Sequence, residues 1–246
     1  SIPGALSVIV LYKILYNLIR DKKLSIYLSI VFGLGTIVFN FSSTLFGNIL
    51  PMLLSLVSFQ LLLTRNMKES IRGIIIGILI GTSILIDYMY VITFFLFLFF
   101  ILFKKEENVI FLYFLGTLVS LIPLFLYYIF SFGNLPLSLF GIYKSYEGRT
   151  TFILIRNPFY PTSPFTFQNL FNLLFGSYRG FFFYMPLLIF SIPGFYYLLK
   201  INKHLFLFLL LYSVSFPIII SHTSIWWGGS SFGPRFLLPI IFPLIL

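Results

Sequence analysis

The sequence has no cysteine and few charged residues. No cysteine occurs in its 246 residues, which excludes disulfides, thiolate catalysis and cysteine-ligated metals within them. Charged residues make up only 9% of the chain, whereas soluble domains carry about 25%. A chain with so few charges and 59% hydrophobic residues is unable to cover itself with water-facing side chains. Its solvent must therefore be lipid.

Acidic residues are scarcer than basic ones. Six Asp and Glu stand against 16 Lys and Arg, which gives a formal net charge of +10. The basic residues lie between hydrophobic runs and form no single soluble patch, which argues against nucleic-acid binding. Positive charge between apolar runs usually marks the cytoplasmic side of a membrane protein. The charge excess is therefore a topology signal, and no nucleic-acid partner is predicted.

Long apolar runs are what the sequence has in abundance. Because a helix that crosses a bilayer needs about 20 mostly apolar residues, the runs predict about nine spans. These cover 2–19, 24–41, 45–64, 73–87, 88–103, 109–131, 181–199, 205–221 and a truncated 235–246. Backbone groups in lipid need internal hydrogen bonds, and the runs are too long for barrel strands. The predicted fold is all-α: a polytopic transmembrane helix bundle forming one domain over 1–246.

Both ends of the chain look like cuts. The sequence starts with Ser1 instead of methionine and enters an apolar run at once, and it stops at Leu246 inside another. We therefore expect it to be a piece of a longer membrane module.

Basic residues alternate between the connections. They fall at 20–23, 65–72, 104–105 and 200–203, whereas the connections around 42–48 and 87–88 contain no Lys or Arg. The positive-inside rule places the basic connections in the cytoplasm. We therefore predict that the loop 132–180 and the connection 222–234 are extracytoplasmic.

Two stretches depart from simple spans. The run 73–103 is too long for one helix across a core of about 30 Å, so a helical hairpin that turns at Asp87 and Tyr88 is predicted. The loop 132–180 is long for a compact bundle, and such loops are usually functional. Within it, 165–176 has apolar residues at helical spacing and predicts a helix in the plane of the membrane interface.

Ionisable residues beside spans are the first candidates for chemistry, since charge is costly to hold near lipid. Asp87 lies in an apolar run and either caps the following half-helix or acts as a catalytic carboxylate. Glu147 lies beside Lys144 and Arg149, so its alternative to catalysis is a solvated ion pair. His222 follows a predicted span and is either a hydrogen-bonding anchor or a catalytic acid or base.

Arginines collect on the predicted outer side, against the topological preference. Arg149, Arg179 and Arg235 are among them. The planar guanidinium group binds phosphate through two parallel hydrogen bonds, so these residues predict a phosphorylated ligand. The alternative is that they bind lipid headgroups or pair with Asp87 and Glu147.

The stretch 222–239, HTSIWWGGSSFGPRFLLP, is the richest in unusual residues. Gly228 and Gly229 indicate a turn that other residues follow with difficulty. Trp226 and Trp227 offer flat apolar faces suited to a sugar ring or an isoprenoid chain. The alternative is a glycine-rich interfacial turn with an aromatic belt. No spacing such as His-Glu-x-x-His occurs, so the residues predict no metal site and no cofactor.

The same stretch carries a family resemblance. Its segment 226–239, WWGGSSFGPRFLLP, resembles the signature W-x-G-G-x-S-x-G-P-R-[YF]-L-x-P of a prokaryotic group classed with the GT-C membrane glycosyltransferases. That group is related to protein mannosyltransferases and aminoarabinose transferases. Further similar segments occur in the family's order at 33–48, 81–90, 132–143 and 175–188. The departures are Phe41 and Asn48, where the family has Tyr and His.

The resemblance implies a transferase of the prokaryotic cytoplasmic membrane that uses a polyprenyl-phosphate-linked sugar donor at the outer face. A carboxylate would activate the acceptor, and Arg149, Arg179 and Arg235 would stabilise the leaving phosphate. Asn48 and the tryptophan–glycine turn would contact sugar or lipid. GT-C enzymes carry their main catalytic aspartate in the first outer loop, which is expected upstream of Ser1, with the ligands of any divalent metal. The acceptor is not predicted.

Two other functions fit the same features. A flippase or transporter of a lipid-linked saccharide is expected to show internal repeats with paired broken helices, and the hairpin 73–103 has no counterpart in the second half. An O-antigen polymerase or ligase also has a long outer loop with arginines, but it lacks the glycine-rich signature. An acidic outer loop upstream of Ser1 would favour the enzyme over the transporter.

Overall fold

The computed structural model describes residues 1–44, 47–64, 67–104, 106–132, 167–223, 226–229 and 231–246. These residues are helical, with no strand among them, as the sequence predicted. The α-helices are α1 (Ile2–Ile19), α2 (Lys22–Leu34), α3 (Ile37–Ser43), α4 (Ile49–Leu63), α5 (Glu69–Ile86), α6 (Val91–Phe103), α7 (Glu107–Phe132), α8 (Phe167–Phe175), α9 (Phe181–Tyr184), α10 (Ser191–Ile201), α11 (Lys203–Ser221) and α12 (Ile241–Ile245). 3-10 helices lie at Tyr88–Tyr90, Pro186–Phe190 and Arg235–Ile240.

Four of the described helices, α1, α5, α7 and α11, are long and apolar enough to cross a membrane. The pair α2 and α3 makes a fifth if it counts as one span bent by 57°. Shorter apolar helices occupy the other predicted positions, at Ile49–Leu63, Tyr88–Phe103, Pro186–Ile201 and Arg235–Ile245. A membrane-embedded helical protein is therefore supported, whereas the total of nine spans is not confirmed. The long loop is not confirmed either, because 133–166 lie outside the described residues.

The predicted span 24–41 is broken between α2 and α3. Thr36 caps α3 by accepting a hydrogen bond from the Val38 N–H (3.2 Å), and its hydroxyl donates to the Phe32 carbonyl (2.6 Å). One side chain thus forms hydrogen bonds with backbone groups on both sides of the bend. Away from water, these bonds stabilise the bend because the backbone groups are not left unpaired. The spacing of apolar residues continues unchanged through the break, so the sequence pattern does not predict it.

Prolines interrupt the predicted spans 181–199 and 235–246. Pro186 starts a 3-10 helix after α9, and Pro239 lies within the 3-10 helix Arg235–Ile240. Proline has no N–H and clashes with the preceding turn, which disfavours a regular α-helix at these positions. The predicted continuous helices over 181–199 and 235–246 are therefore replaced by short 3-10 and α pieces.

Aromatic side chains form the core that supports these pieces. Phe59 of α4 stacks on Phe208 of α11, with ring centroids 5.3 Å apart, and also contacts Phe242 of α12 at 5.9 Å. The hydroxyl groups of Thr93 and Tyr212 share a hydrogen bond of 2.9 Å in the same interior. The segment that follows Arg235 is therefore fixed against α4 and α11.

One end of the bundle, which we call the basic end, holds a buried ion pair. Arg72 pairs with Glu106 and donates a second hydrogen bond to the Thr64 carbonyl (3.4 Å). Lys104 donates to the Leu62 carbonyl (2.6 Å). Both cations therefore cap the C-terminal end of α4, where carbonyl groups lack helical partners. Arg72 was predicted to lie in a connection. It belongs instead to α5 and is only 2% exposed.

Helices α5 and α7 run parallel and in close contact. Gly73, Gly77 and Gly81 lie on the face of α5 that meets α7, and Gly116 of α7 lies against them. The Thr117 hydroxyl donates to the Gly77 carbonyl (3.2 Å) across the pair. Small residues spaced by four let helix backbones approach closely, which is a common packing device in membranes. Helix α6 runs the opposite way and returns the chain to the basic end.

Candidate functional site

Asp87 lies where α5 ends, at the opposite end from the basic end. Its N–H donates to the Ser83 carbonyl (2.9 Å), and one carboxylate oxygen accepts from the Met89 N–H (3.0 Å), which caps the 3-10 helix Tyr88–Tyr90. The other oxygen accepts from the Asn48 amide (3.0 Å). The chain reverses here, so the predicted turn and the predicted capping role are both present.

Burial raises the pKa of the Asp87 carboxyl group above its ordinary value. The hydrogen bonds from the Met89 N–H and the Asn48 amide, and the nearby charge of Arg235, act in the opposite direction. Each of these three favours the ionised carboxylate, whereas desolvation disfavours it. Because desolvation is the largest effect, Asp87, which lies just outside the α5 span, is a stronger base than a carboxylate in water.

A cavity of about 310 Å³ opens beside this carboxylate. Its size is at the lower end for small-molecule sites. Asn48 and Arg235, which are far from Asp87 in the sequence, meet it there. The residues that line the cavity are Gly47, Asn48, Ile86, Asp87, Tyr88, Arg235 and Phe236.

The glycine turn before Arg235 has a backbone that few other residues adopt. Gly228, Gly229 and Gly233 have φ values of 82°, 68° and 62°. A side chain in this left-handed region is strained. The turn also packs on Arg235, since a Cβ atom on Gly228 would lie 3.2 Å from the Arg235 Cγ. The Ser231 hydroxyl closes the turn by donating to the Gly228 carbonyl (3.0 Å).

Arg179 reaches the same turn from another part of the chain. It lies in the connection between α8 and α9, where the Gly180 N–H donates to the Gly176 carbonyl (2.7 Å). Its guanidinium group donates to the Trp227 carbonyl (3.3 Å). The charges of Arg179 and Arg235 are close enough to repel each other. A bound anion would relieve that repulsion, so the two arginines are candidates for binding an anion.

The tryptophans and the histidine have anchoring contacts. Trp226 and Trp227 meet edge to face with centroids 5.6 Å apart, and Trp226 packs against the hydrophobic core. His222 Nδ1 donates to the Ile218 carbonyl (2.7 Å), which is the anchoring alternative that the sequence offered. None of these three side chains lines the described cavity.

Two of the predicted site residues, Glu147 and Arg149, lie outside the described residues, so their roles stay predictions. Within the described ranges, no group of three or more His, Asp or Glu side chains is placed to hold a metal ion. Sequence reasoning missed Gly47, Ile86, Tyr88 and Phe236 as lining residues. Each of them is adjacent in the sequence to a residue that was identified. This adjacency was the only signal in the sequence that could have indicated them.

Comparisons of the chain with protein-family models, with curated proteins and with solved structures found no match.

Proposed function

We propose that this membrane protein is a glycosyltransferase that moves a sugar from a polyprenyl-phosphate-linked donor to an acceptor at the extracytoplasmic face. The observation that carries the proposal is the meeting of Arg235, Arg179 and Asp87 around one cavity and its adjoining glycine turn. Two neighbouring guanidinium groups suit a phosphate, and a carboxylate with raised pKa suits proton abstraction. The resemblance of 226–239 to the GT-C signature supports the same function.

The arginines would act on the leaving group. Transfer forms a bond between the acceptor oxygen and the anomeric carbon of the sugar and breaks the bond from that carbon to the phosphate oxygen. The electron pair of the broken bond stays on the phosphate, so negative charge develops there in the transition state. Donors from Arg179 and Arg235 at that position would lower the barrier.

Asp87 would act on the acceptor. The hydroxyl proton of the acceptor passes to a carboxylate as the new bond forms, and Asp87 is the candidate base that lines the cavity. The Asn48 amide and the Met89 N–H hold its two oxygens in place. An oriented base of this kind loses little entropy on reaching the transition state.

The distribution of charge supports an orientation of the bundle in the membrane. The basic end carries Arg72 and Lys104, with Lys203 at the start of α11. The positive-inside rule would place that end in the cytoplasm and the cavity at the outer face. A donor phosphate at the membrane interface and its lipid chain in the bilayer would then match the position of the cavity at the end of the spans.

Replacing Arg235 tests the proposal. The protein is reconstituted in bilayers with a radiolabelled polyprenyl-phosphate sugar and a cell-envelope extract as the acceptor source. We expect Arg235→Ala to lose about 2–4 kcal/mol of transition-state stabilisation, the range for removing one donor to a developing anion. Arg235→Lys should also impair turnover, because lysine lacks the planar fork. Lys203→Ala is the matched control and should keep the wild-type rate.

Two outcomes would contradict the proposal. Normal turnover and donor affinity in a folded Arg235→Ala protein would show that this arginine has only a topological role. Movement of the lipid-linked saccharide across a vesicle membrane without any transfer would favour the transporter instead.

A further inference from the structure

The exposed face of helix α1 is apolar in one half and polar in the other. Toward the start of the helix this face consists of apolar side chains, with Leu6 43% and Ile9 50% exposed. Farther along, it continues with the exposed side chains of Lys13, Asn17 and Arg20. Successive members are three or four residues apart, so they form one stripe along the helix, which we call the α1 stripe. The stripe becomes polar at Lys13.

The polar half of the α1 stripe lies toward the basic end. A Cβ atom on Gly4, near the start of α1, would overlap the side chain of Ser42 in α3. Helix α3 lies at the cavity end, since a Cβ atom on Gly233, two residues before Arg235, would lie 3.4 Å from the Ile37 Cγ2. Helix α1 has 18 residues and is therefore about 27 Å long. It runs from the cavity end to the basic end, which its polar half approaches.

Lys13 is a charge inside an apolar helix. Helix α1 is long and apolar enough to cross a membrane, and Lys13 precedes its end at Ile19 by six residues. This separation corresponds to about 9 Å along the helix. Among the described residues, none forms a hydrogen bond or an ion pair with the Lys13 ammonium group. A charge at this depth is costly without an oppositely charged partner. The flexible stem of lysine lets the ammonium group extend toward the headgroups at the basic end to meet one.

The groups around Lys13 complement an anion. Tyr16, which is 41% exposed, and Asn17 have groups that donate hydrogen bonds, and Arg20 adds a second cation. Helix α1 contains no Asp or Glu. The nearest acid in the sequence, Asp21, caps α2 by accepting a hydrogen bond from its backbone (3.1 Å). The polar half of the α1 stripe therefore offers donors and positive charge without a carboxylate of its own.

Arg20 has an unusual backbone for an arginine. Its φ is 62°, and no other described residue except glycine has a positive φ. Glycine is the common residue where a helix ends in this conformation, because a Cβ atom is strained there. Strain that a sequence retains is a reason to look for a role of the side chain. This observation is independent of the depth of Lys13 and points to the same end of α1.

We infer that the polar half of the α1 stripe binds the phosphate headgroup of an anionic phospholipid from the leaflet at the basic end. Lys22 and Lys23, which begin α2, add positive charge beside it. A second copy of this chain is a poor match for Lys13, because the described carboxylates all lie at helix ends. They belong to Asp21, Glu69, Asp87, Glu106 and Glu107. The inference goes beyond the proposed function and does not rest on it, since this surface and the cavity are at opposite ends.

Native mass spectrometry of the full chain in a neutral detergent tests the binding. Dioleoylphosphatidylglycerol is the anionic probe, and dioleoylphosphatidylcholine is the zwitterionic one. We expect the wild type to prefer the anionic lipid. Lys13→Leu should weaken that binding by about fivefold, the factor for one basic residue at a membrane surface, and leave the zwitterionic lipid unaffected. Lys200→Leu is the matched control: it removes another exposed lysine near the basic end and should bind both lipids as the wild type does.

Unfolding in the same detergent provides a second measurement. A lipid that binds only the folded protein stabilises it, so phosphatidylglycerol should raise the unfolding midpoint of the wild type and of Lys13→Arg more than that of Lys13→Leu. Inorganic phosphate should raise none of them. Equal affinity of the wild type and Lys13→Leu for phosphatidylglycerol would overturn the inference and leave Lys13 to a carboxylate of another membrane protein. An equal loss of affinity in Lys200→Leu would show only general attraction between basic residues and anionic lipid, and would also overturn it.

Discussion

Gly77 is the position at which the contact between α5 and α7 is most easily disturbed. A Cβ atom on Gly77 would overlap the Tyr113 carbonyl oxygen, and it would lie 2.9 Å from the Thr117 nitrogen and 3.0 Å from the Gly116 Cα. All three atoms belong to the backbone of α7, so none of them moves by a side-chain rotation. Gly77→Ala therefore forces the two helices apart.

The cost follows from the separation. To reach ordinary van der Waals contact, the helices would need to move apart by about 1 Å, which loses up to half of the attraction of each atom pair across the interface. About 20 such pairs at 0.1–0.2 kcal/mol each give a loss of about 1–2 kcal/mol. Weakening the hydrogen bond from Thr117 to the Gly77 carbonyl adds about 0.5–1 kcal/mol. We expect a total destabilisation of about 1.5–3 kcal/mol, in the usual range for overpacking.

Gly194 provides the matched control. It is also a helical glycine, in α10, but a Cβ atom there would meet no atom within 4 Å. Gly194→Ala should be neutral or stabilise the protein by up to about 1 kcal/mol through helix propensity. The measurement is equilibrium unfolding in mixed micelles as the fraction of denaturing detergent rises, followed by circular dichroism. If Gly77→Ala unfolds at the same detergent fraction as Gly194→Ala, the close approach of α5 and α7 is wrong.

Two further predictions concern the basic end and the topology. Glu106→Gln should destabilise the protein by about 3–5 kcal/mol in the same unfolding assay, because it leaves the buried charge of Arg72 uncompensated. The exposed neighbour Glu107 provides the control. A Glu107→Gln protein as unstable as Glu106→Gln would contradict the ion-pair argument. Because the chain has no cysteine, single cysteines at Ser177 and Lys203, both exposed, report the topology without background. An impermeant thiol reagent applied to intact cells should label Ser177→Cys and not Lys203→Cys, and labelling of both from outside would refute the assigned orientation.

Helix positions could be predicted where hydrophobicity alone decides them. The runs 2–19 and 205–221 correspond to Ile2–Ile19 and Lys203–Ser221, because a long apolar segment in lipid satisfies its backbone only as a helix. The break at Thr36 could not be predicted in this way, since it depends on one hydroxyl group that bonds in both directions. The burial of Arg72 was missed for a related reason. Counting charges near spans treats each arginine as exposed, and its partner Glu106 is 34 residues away.

The candidate site was predictable residue by residue but not as a contact. Asp87 and Arg235 were identified because an ionisable side chain beside an apolar run is rare and costly. Asn48 was identified only through the family resemblance, and its hydrogen bond to Asp87 joins residues 39 positions apart. Such a contact depends on how α4 and α5 pack, which local sequence patterns do not encode. The repulsion between Arg179 and Arg235 arises in the same way from tertiary packing.

The parallel pairing of α5 and α7 has a consequence for the order in which the protein assembles. Two parallel neighbours need a third helix to carry the chain back, so α5 is synthesised before its partner and waits in the bilayer while α6 is made. During that interval the faces of Gly73, Gly77 and Gly81 have no α7 to pack against. Membrane insertion and helix association are therefore separate stages for this pair. A chain released after α6 would be inserted but incompletely folded, with a glycine-lined groove open to the first helix that fits it.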